Sequence, residues 1–101
     1  MRQQINGRWF QWDDKKAKIN KRKHGISFKT ATLVFEDDGR IEYRDDKHSD
    51  EEDRWITVRM VNDILTVVYT ERGEDIRLIS ARPANDEERS EYDDNNPILF
   101  T

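Results

Sequence analysis

Residues 54–82 read Arg54-Trp55-Ile56-Thr57-Val58-Arg59-Met60-Val61-Asn62-Asp63-Ile64-Leu65-Thr66-Val67-Val68-Tyr69-Thr70-Glu71-Arg72-Gly73-Glu74-Asp75-Ile76-Arg77-Leu78-Ile79-Ser80-Ala81-Arg82. Side chains alternate between the two faces of a strand, so the apolar spacing can be read directly. Ile56, Val58 and Met60 share a face of one strand, 54–61. Leu65, Val67 and Tyr69 share a face of a second, 64–70. Over 75–82, Ile76, Leu78 and Ser80 alternate with Arg77, Ile79 and Ala81. Val61-Asn62-Asp63 and Glu71-Arg72-Gly73-Glu74 are short enough to close hairpins. The stretch therefore predicts three antiparallel strands.

Toward the N-terminus, Arg8-Trp9-Phe10-Gln11-Trp12 is aromatic enough for a short edge strand. Asp13 is placed as an N-cap, opening a helix over 14–23. Basic residues fill its last turn, and Gly25 sits where a left-handed C-terminal cap belongs. Ser27 caps a second helix, 28–35, with Ile26 packing back onto Ala31. Glu36-Asp37-Asp38-Gly39 makes a turn, 40–44 a weak strand, and 45–53 a polar loop holding His48. Beyond the hairpins Asn85 caps a last helix, 86–92, with Glu87, Glu88 and Glu91 mostly exposed. An apolar tail, Pro97 to Thr101, follows a polar break. The order predicts an α+β fold in which an antiparallel sheet packs against two N-terminal helices, with a short C-terminal helix. One domain is expected over 1–101, its core at 9–92 and 93–101 a tail.

Charged residues make up 40% of the chain and hydrophobic ones 34%. The apolar residues fall in periodic runs, which favours a folded domain over a disordered one. There is no cysteine, which excludes disulfides and cysteine-ligated zinc and suits a reducing cytosol. No apolar run approaches a membrane span, and nothing at the start reads as a signal peptide. Residues 1–35 carry nine Lys/Arg against two Asp/Glu; the remainder carries nine against twenty. A basic third of this kind can face phosphate, though on charge alone a solvated charged surface is the simpler account.

Three groups could carry chemistry. Lys16, Asn20 and Lys23 lie along one helical stripe, suiting an RNA backbone or a solvent-facing helix. In the 45–54 loop His48 and Glu52 are the candidate general acid and base, with Asp45 and Arg54 at its ends. Two histidines 24 residues apart do not make a metal site. Arg72, Arg77 and Arg82 belong to the last hairpin, where a guanidinium can fork onto phosphate oxygens. Five residues apart, Arg77 and Arg82 point to opposite faces of an unbulged strand. Arg82 ends the strand, however, and could turn round its edge toward the same pocket. Between Ile76 and Leu78, Arg77 is as readily a structural ion pair as a functional cation. Trp55 and Tyr69 lie nearby and could stack a base.

Together these segments resemble the BrnT family of type II toxins. Trp12-Asp13-x-x-Lys16-x-x-x-Asn20-x-x-Lys23-His24-Gly25-Ile26-x-Phe28 is similar to its opening signature, continued by Ala31, Val34-Phe35 and Asp37. Asp45 to Arg54 is similar to its central motif. Thr70-x-Arg72-Gly73-x-x-Ile76-Arg77-x-Ile79-Ser80-Ala81-Arg82 matches its most recognisable block, and Ala84, Glu88-Arg89 and Tyr92 complete the likeness. Val58-Arg59 stands where the family often has Ile-Gly, and the proline usual after the Asp37 turn is absent.

The resemblance implies a RelE-like ribonuclease fold and a cytoplasmic toxin that cuts RNA without metal or cofactor and blocks translation. It implies neutralisation by a BrnA-type DNA-binding antitoxin, with a heterotetramer expected and DNA touched only through the antitoxin. The ribose 2′-hydroxyl would attack the adjacent phosphate. Glu52 or His48 would serve as base or acid, and Arg72 and Arg77 would stabilise the transition state. Lys23 and Arg82 would hold phosphates, with Lys16 and Asn20 along the same basic helix. Trp55 or Tyr69 would stack a base, and His24 would lock the turn at Gly25. A non-catalytic RNA- or protein-binding module acting as a co-repressor is the alternative.

Overall fold

The computed structural model describes residues 1–37, 39–48, 52–61 and 63–96. Among the described residues six strands form one sheet: β1 (Arg2–Ile5), β2 (Arg8–Gln11), β3 (Ile41–Arg44), β4 (Arg54–Val61), β5 (Asp63–Arg72) and β6 (Asp75–Pro83). Their spatial order is β1-β2-β6-β5-β4-β3. Every pairing is antiparallel except β2 on β6, which is parallel. The strands β4, β5 and β6 are antiparallel neighbours, as their alternation and short turns predict, and they lie in the interior of the sheet. β2 differs from expectation, because it lies inside the sheet and β1 forms the edge. The turn between them is Asn6-Gly7, both at positive φ (52° and 82°), a conformation that suits a tight hairpin.

Helix α1 (Asp14–His24) begins where the Asp13 side chain accepts the Lys16 N–H and ends at Gly25, which is left-handed (φ 73°) and donates to the Lys21 carbonyl. Ser27 caps α2 (Phe28–Ala31), which tightens into a 3₁₀ segment, Thr32–Glu36. A single α-helix was expected over this stretch. Ala31, Thr32, Val34 and Phe35 are buried while Leu33 between them is exposed, so the inward stripe expected of an amphipathic helix is kept although the last turns are wound more tightly.

One core layer joins Phe10, Trp12, Phe28, Ala31, Val34 and Phe35 to Leu65, Val67, Tyr69, Leu78 and Ala81. Burial of each large member contributes roughly 1.5–3 kcal/mol. A smaller cluster on the other face holds Val58, Ile64, Ala84 and Tyr92, the last from α3 (Asp86–Asn95). Asn85 and Glu88 form a reciprocal capping box at the start of α3. Glu88 is therefore buried, 5% exposed, not solvent-facing as its charge suggested.

The β5–β6 pairing carries an irregularity. Val68 faces Ser80 and Tyr69 faces Leu78, which leaves Ile79 as an extra residue. One inserted residue reverses the alternation beyond it. Arg77, opposite Thr70, and Arg82, opposite Thr66, consequently point to the same face.

Candidate active site

One row of the sheet collects the relevant chemistry. Across the strands Arg54 faces Thr70, Thr70 faces Arg77, Arg77 faces Gln11, and Gln11 faces Arg2. Directly paired residues share a face, so these five side chains lie on the face opposite the large core layer. Arg72, two residues beyond Thr70, shares it.

Glu52 enters this row from the loop before β4. Its carboxylate accepts two hydrogen bonds from Arg72, from Nε at 3.2 Å and Nη2 at 3.0 Å. This pairing holds the Glu52 carboxyl below its ordinary value, and the charges of Arg54 and Arg77 add to the effect. Glu52 is thus ionised near neutral pH and set within the field of three guanidinium groups. The Thr70 hydroxyl donates to the Asp53 carbonyl at 2.6 Å. The Asp45 N–H donates to the Arg54 carbonyl at 2.8 Å, and Arg44 binds Asp53 at 2.9 Å. These bonds tie both ends of the loop to the sheet.

Of the predicted site residues, Arg72, Arg77 and Glu52 are brought together. His48 ends a short 3₁₀ turn, Asp46–His48; its side chain lies outside the described residues. Arg82 is on the same face but four residues along, roughly 13 Å at strand rise. It forks onto Glu88 at 2.7 and 3.0 Å and so anchors α3 to the sheet. Asn20 is not a surface donor. It is 7% exposed, donates to the carbonyls of Ile26 and Ala81, and accepts from the Ala81 N–H. Tyr69 is buried, edge-on to Phe35, and its hydroxyl donates to Glu42 at 2.7 Å. Trp55 pairs with Tyr69 and packs against the same core. Neither ring is available on the arginine face. Lys16 and Lys23 are exposed on α1, which packs on β6 from the other side.

The structure adds Gln11 and Tyr43, which no motif marked, and gives Arg54, the last residue of the 45–54 motif, a place beside the candidate site. Arg54 joins the cationic group, and Gln11 lies abreast of Arg77. Tyr43, 39% exposed, is opposite Ile56, in the row next to Arg54. Strand parity could have found all three once the pairing partners were known. Among the described residues no group of three or more His, Cys, Asp or Glu is arranged to hold a metal ion, and no helix is long and apolar enough to cross a membrane.

Residues 12–88 match the family model described as the ribonuclease toxin BrnT of type II toxin-antitoxin systems. The chain belongs to the BrnT toxin family. The ribonuclease toxin BrnT of Brucella abortus has a similar fold, with a TM-score of 0.58 and 21% identity over 74% of this chain and 94% of that one. No curated protein matches the chain. The Arg54, Arg72, Arg77 and Glu52 group falls within the BrnT match, whereas β1 and Gln11 precede it.

Proposed function

We propose that this BrnT toxin cuts RNA by metal-independent acid–base chemistry at the Glu52–Arg54–Arg72–Arg77 group. The observation that carries the reading is the Glu52 carboxylate held by the Arg72 fork, with Arg54 and Arg77 on the same face of the sheet as Arg72. A carboxyl held below its ordinary value is ionised at neutral pH, so it can accept a proton but not donate one, and it is a weak base for as long as Arg72 stays bound to it. Glu52 is therefore the base that takes the proton from the ribose 2′-hydroxyl as its oxygen attacks the adjacent phosphorus. Arg72 and Arg77 bear the added negative charge of the phosphorane. The P–O5′ bond then breaks, leaving a 2′,3′-cyclic phosphate and a 5′-hydroxyl, and the proton on that leaving oxygen comes from His48 or from water. An incoming phosphate competes with Glu52 for Arg72, releasing the carboxylate for its role.

In this reading the toxin is RelE-like, and it arrests growth in the cytoplasm by blocking translation. A BrnA-type antitoxin neutralises it within a heterotetramer and supplies all contacts to DNA. A cationic row is a natural target for occlusion by an acidic or apolar segment of such a partner.

The test is cleavage of labelled RNA by the purified full chain, with EDTA and with magnesium, beside induction in a bacterium. The expected result is shortened RNA in EDTA and arrested growth, both lost in Arg72→Ala and Glu52→Ala. RNA left intact by a folded, RNA-binding chain would favour the non-catalytic module instead. Cleavage only with magnesium would remove the metal-free mechanism.

A further inference from the structure

The geometry points to Gln11 as a positioning residue that aims Arg77 without setting a negative charge against it, an inference that rests on the catalytic reading above. Arg77 Nη1 donates to Gln11 Oε1 at 2.8 Å. The other end of the same amide, Nε2, donates to Asp75 Oδ2 at 3.0 Å. Asp75 is only 7% exposed and is held in turn by Arg2, through Nε at 2.6 Å and Nη2 at 3.1 Å. The Arg2 guanidinium lies over the Trp9 ring, 4.0 Å from its centroid. Four side chains from three strands thus form one relay, Arg2 to Asp75 to Gln11 to Arg77.

The relay separates Arg77 from the nearest relay carboxylate by a neutral amide. A direct carboxylate partner would hold Arg77 equally firmly but would also neutralise it, as Glu52 does for Arg72. A glutamine carbonyl fixes one N–H of the fork by hydrogen bonding and adds no negative charge. The remaining donors keep their pull on a phosphate. Asp75, the carboxylate in the relay, has its charge answered by Arg2. The parallel pairing of β2 with β6 makes this possible, because it sets Gln11 abreast of Arg77. The β1–β2 hairpin, which lies ahead of the family-matched segment, brings Arg2 abreast of Gln11. The hairpin is therefore a support for the transition-state cation as well as an edge of the sheet.

The experiment compares RNA cleavage by wild type, Gln11→Leu, Gln11→Glu, Arg77→Ala and the Gln11→Leu/Arg77→Ala double variant, with enzyme in excess so that residual rates are readable, and with the melting temperature of each. Gln11→Leu is expected to lower kcat on the order of tenfold to a hundredfold, the cost of a misplaced catalytic group, with KM within about twofold of wild type. Gln11→Glu keeps the length but puts a carboxylate on Arg77, and kcat should fall at least as far. In the Arg77→Ala background Gln11→Leu should cost nothing further, because residues that act as a unit are not additive. A general weakening of the fold would instead add its loss in both backgrounds, and that result would overturn the assignment, as would full activity in Gln11→Leu. Full activity in Gln11→Glu would overturn the argument from neutrality. Wild type that binds but does not cut RNA would sink the catalytic reading and this inference with it, whereas active wild type beside unaffected Gln11 variants would sink the inference alone.

Discussion

Arg72 holds Glu52 by two parallel N–H···O bonds, one from Nε and one from Nη2, so that a single guanidinium edge covers the whole carboxylate. The pair joins the end of β5 to the loop before β4, and it makes the charge state of Glu52 dependent on Arg72. With Arg72 present, the carboxyl titrates below its ordinary value of 4.5. If the unprotonated form is the base, the rate falls on the acid side as pH drops through that lowered pKa. Removing Arg72 removes the largest cause of the lowering. The acid limb of kcat/KM in Arg72→Ala is therefore expected to move to higher pH than in wild type, together with a large drop in the plateau rate. A pH–rate profile of both proteins checks this. An acid limb that stays in place would mean that Glu52 is not the titrating base.

Tyr43 is an exposed aromatic ring one row from Arg54, through its pairing with Ile56, while Trp55 and Tyr69 face the core. Stacking on an aromatic side chain is worth about 1–3 kcal/mol per base. Tyr43→Ala is accordingly expected to raise KM for single-stranded RNA roughly tenfold or more, with kcat nearly unchanged. Tyr69→Phe keeps the buried ring and should leave KM at the wild-type value. Steady-state kinetics on one short RNA, run on both variants, separates them.

Much of this arrangement could be read from period and spacing. The alternation over 54–82 locates β4, β5 and β6, and Asp13, Gly25, Ser27 and Asn85 mark helix ends where they occur. These are local signals, each carried by one or two residues. What could not be read is what depends on partners distant in sequence. Arg77 and Gln11 are abreast only because β2 runs parallel to β6. Arg77 and Arg82 share a face only because Ile79 is an extra residue. Asn20 looks like a surface donor on a basic helix until the Ala81 backbone is placed beside it. The β1 strand, Arg2-Gln3-Gln4-Ile5, has too little apolar character to announce itself, although Asn6-Gly7 is a hairpin signal that its sequence carries openly.

Arg82 shows how a cation in a functional-looking block can be structural. Its fork is filled by Glu88, whose carboxylate also accepts the Asn85 N–H at 2.8 Å. Arg82→Ala leaves that buried carboxylate without its countercharge. Since the arginine is itself 36% exposed, the cost is discounted for solvent screening to about 1–2 kcal/mol. The expected outcome is a melting temperature lower by roughly 5–15 °C for a domain of this size, with the kcat of the folded fraction retained. A loss of kcat without a loss of stability would return Arg82 to the catalytic group.

Asn20 provides the sharpest separation of folding from RNA contact. Its amide closes three hydrogen bonds, to the Ile26 carbonyl and to both the N–H and the carbonyl of Ala81. It thereby fixes α1 to the connection before α2 and to the middle of β6. Asn20→Ala leaves buried backbone groups without these partners, at a cost of about 2–3 kcal/mol. Asn20→Asp keeps the acceptor for the Ala81 N–H but sets a carboxylate against two carbonyl oxygens, so it should be at least as damaging as alanine. A residue that bound RNA from the surface would behave differently, because its removal would raise KM and leave the denaturation midpoint in place. Urea unfolding of the two variants should therefore show both midpoints well below wild type, while KM for RNA, measured at a temperature where each variant is folded, stays close to the wild-type value. A normal midpoint with weakened RNA binding would restore Asn20 to the RNA surface.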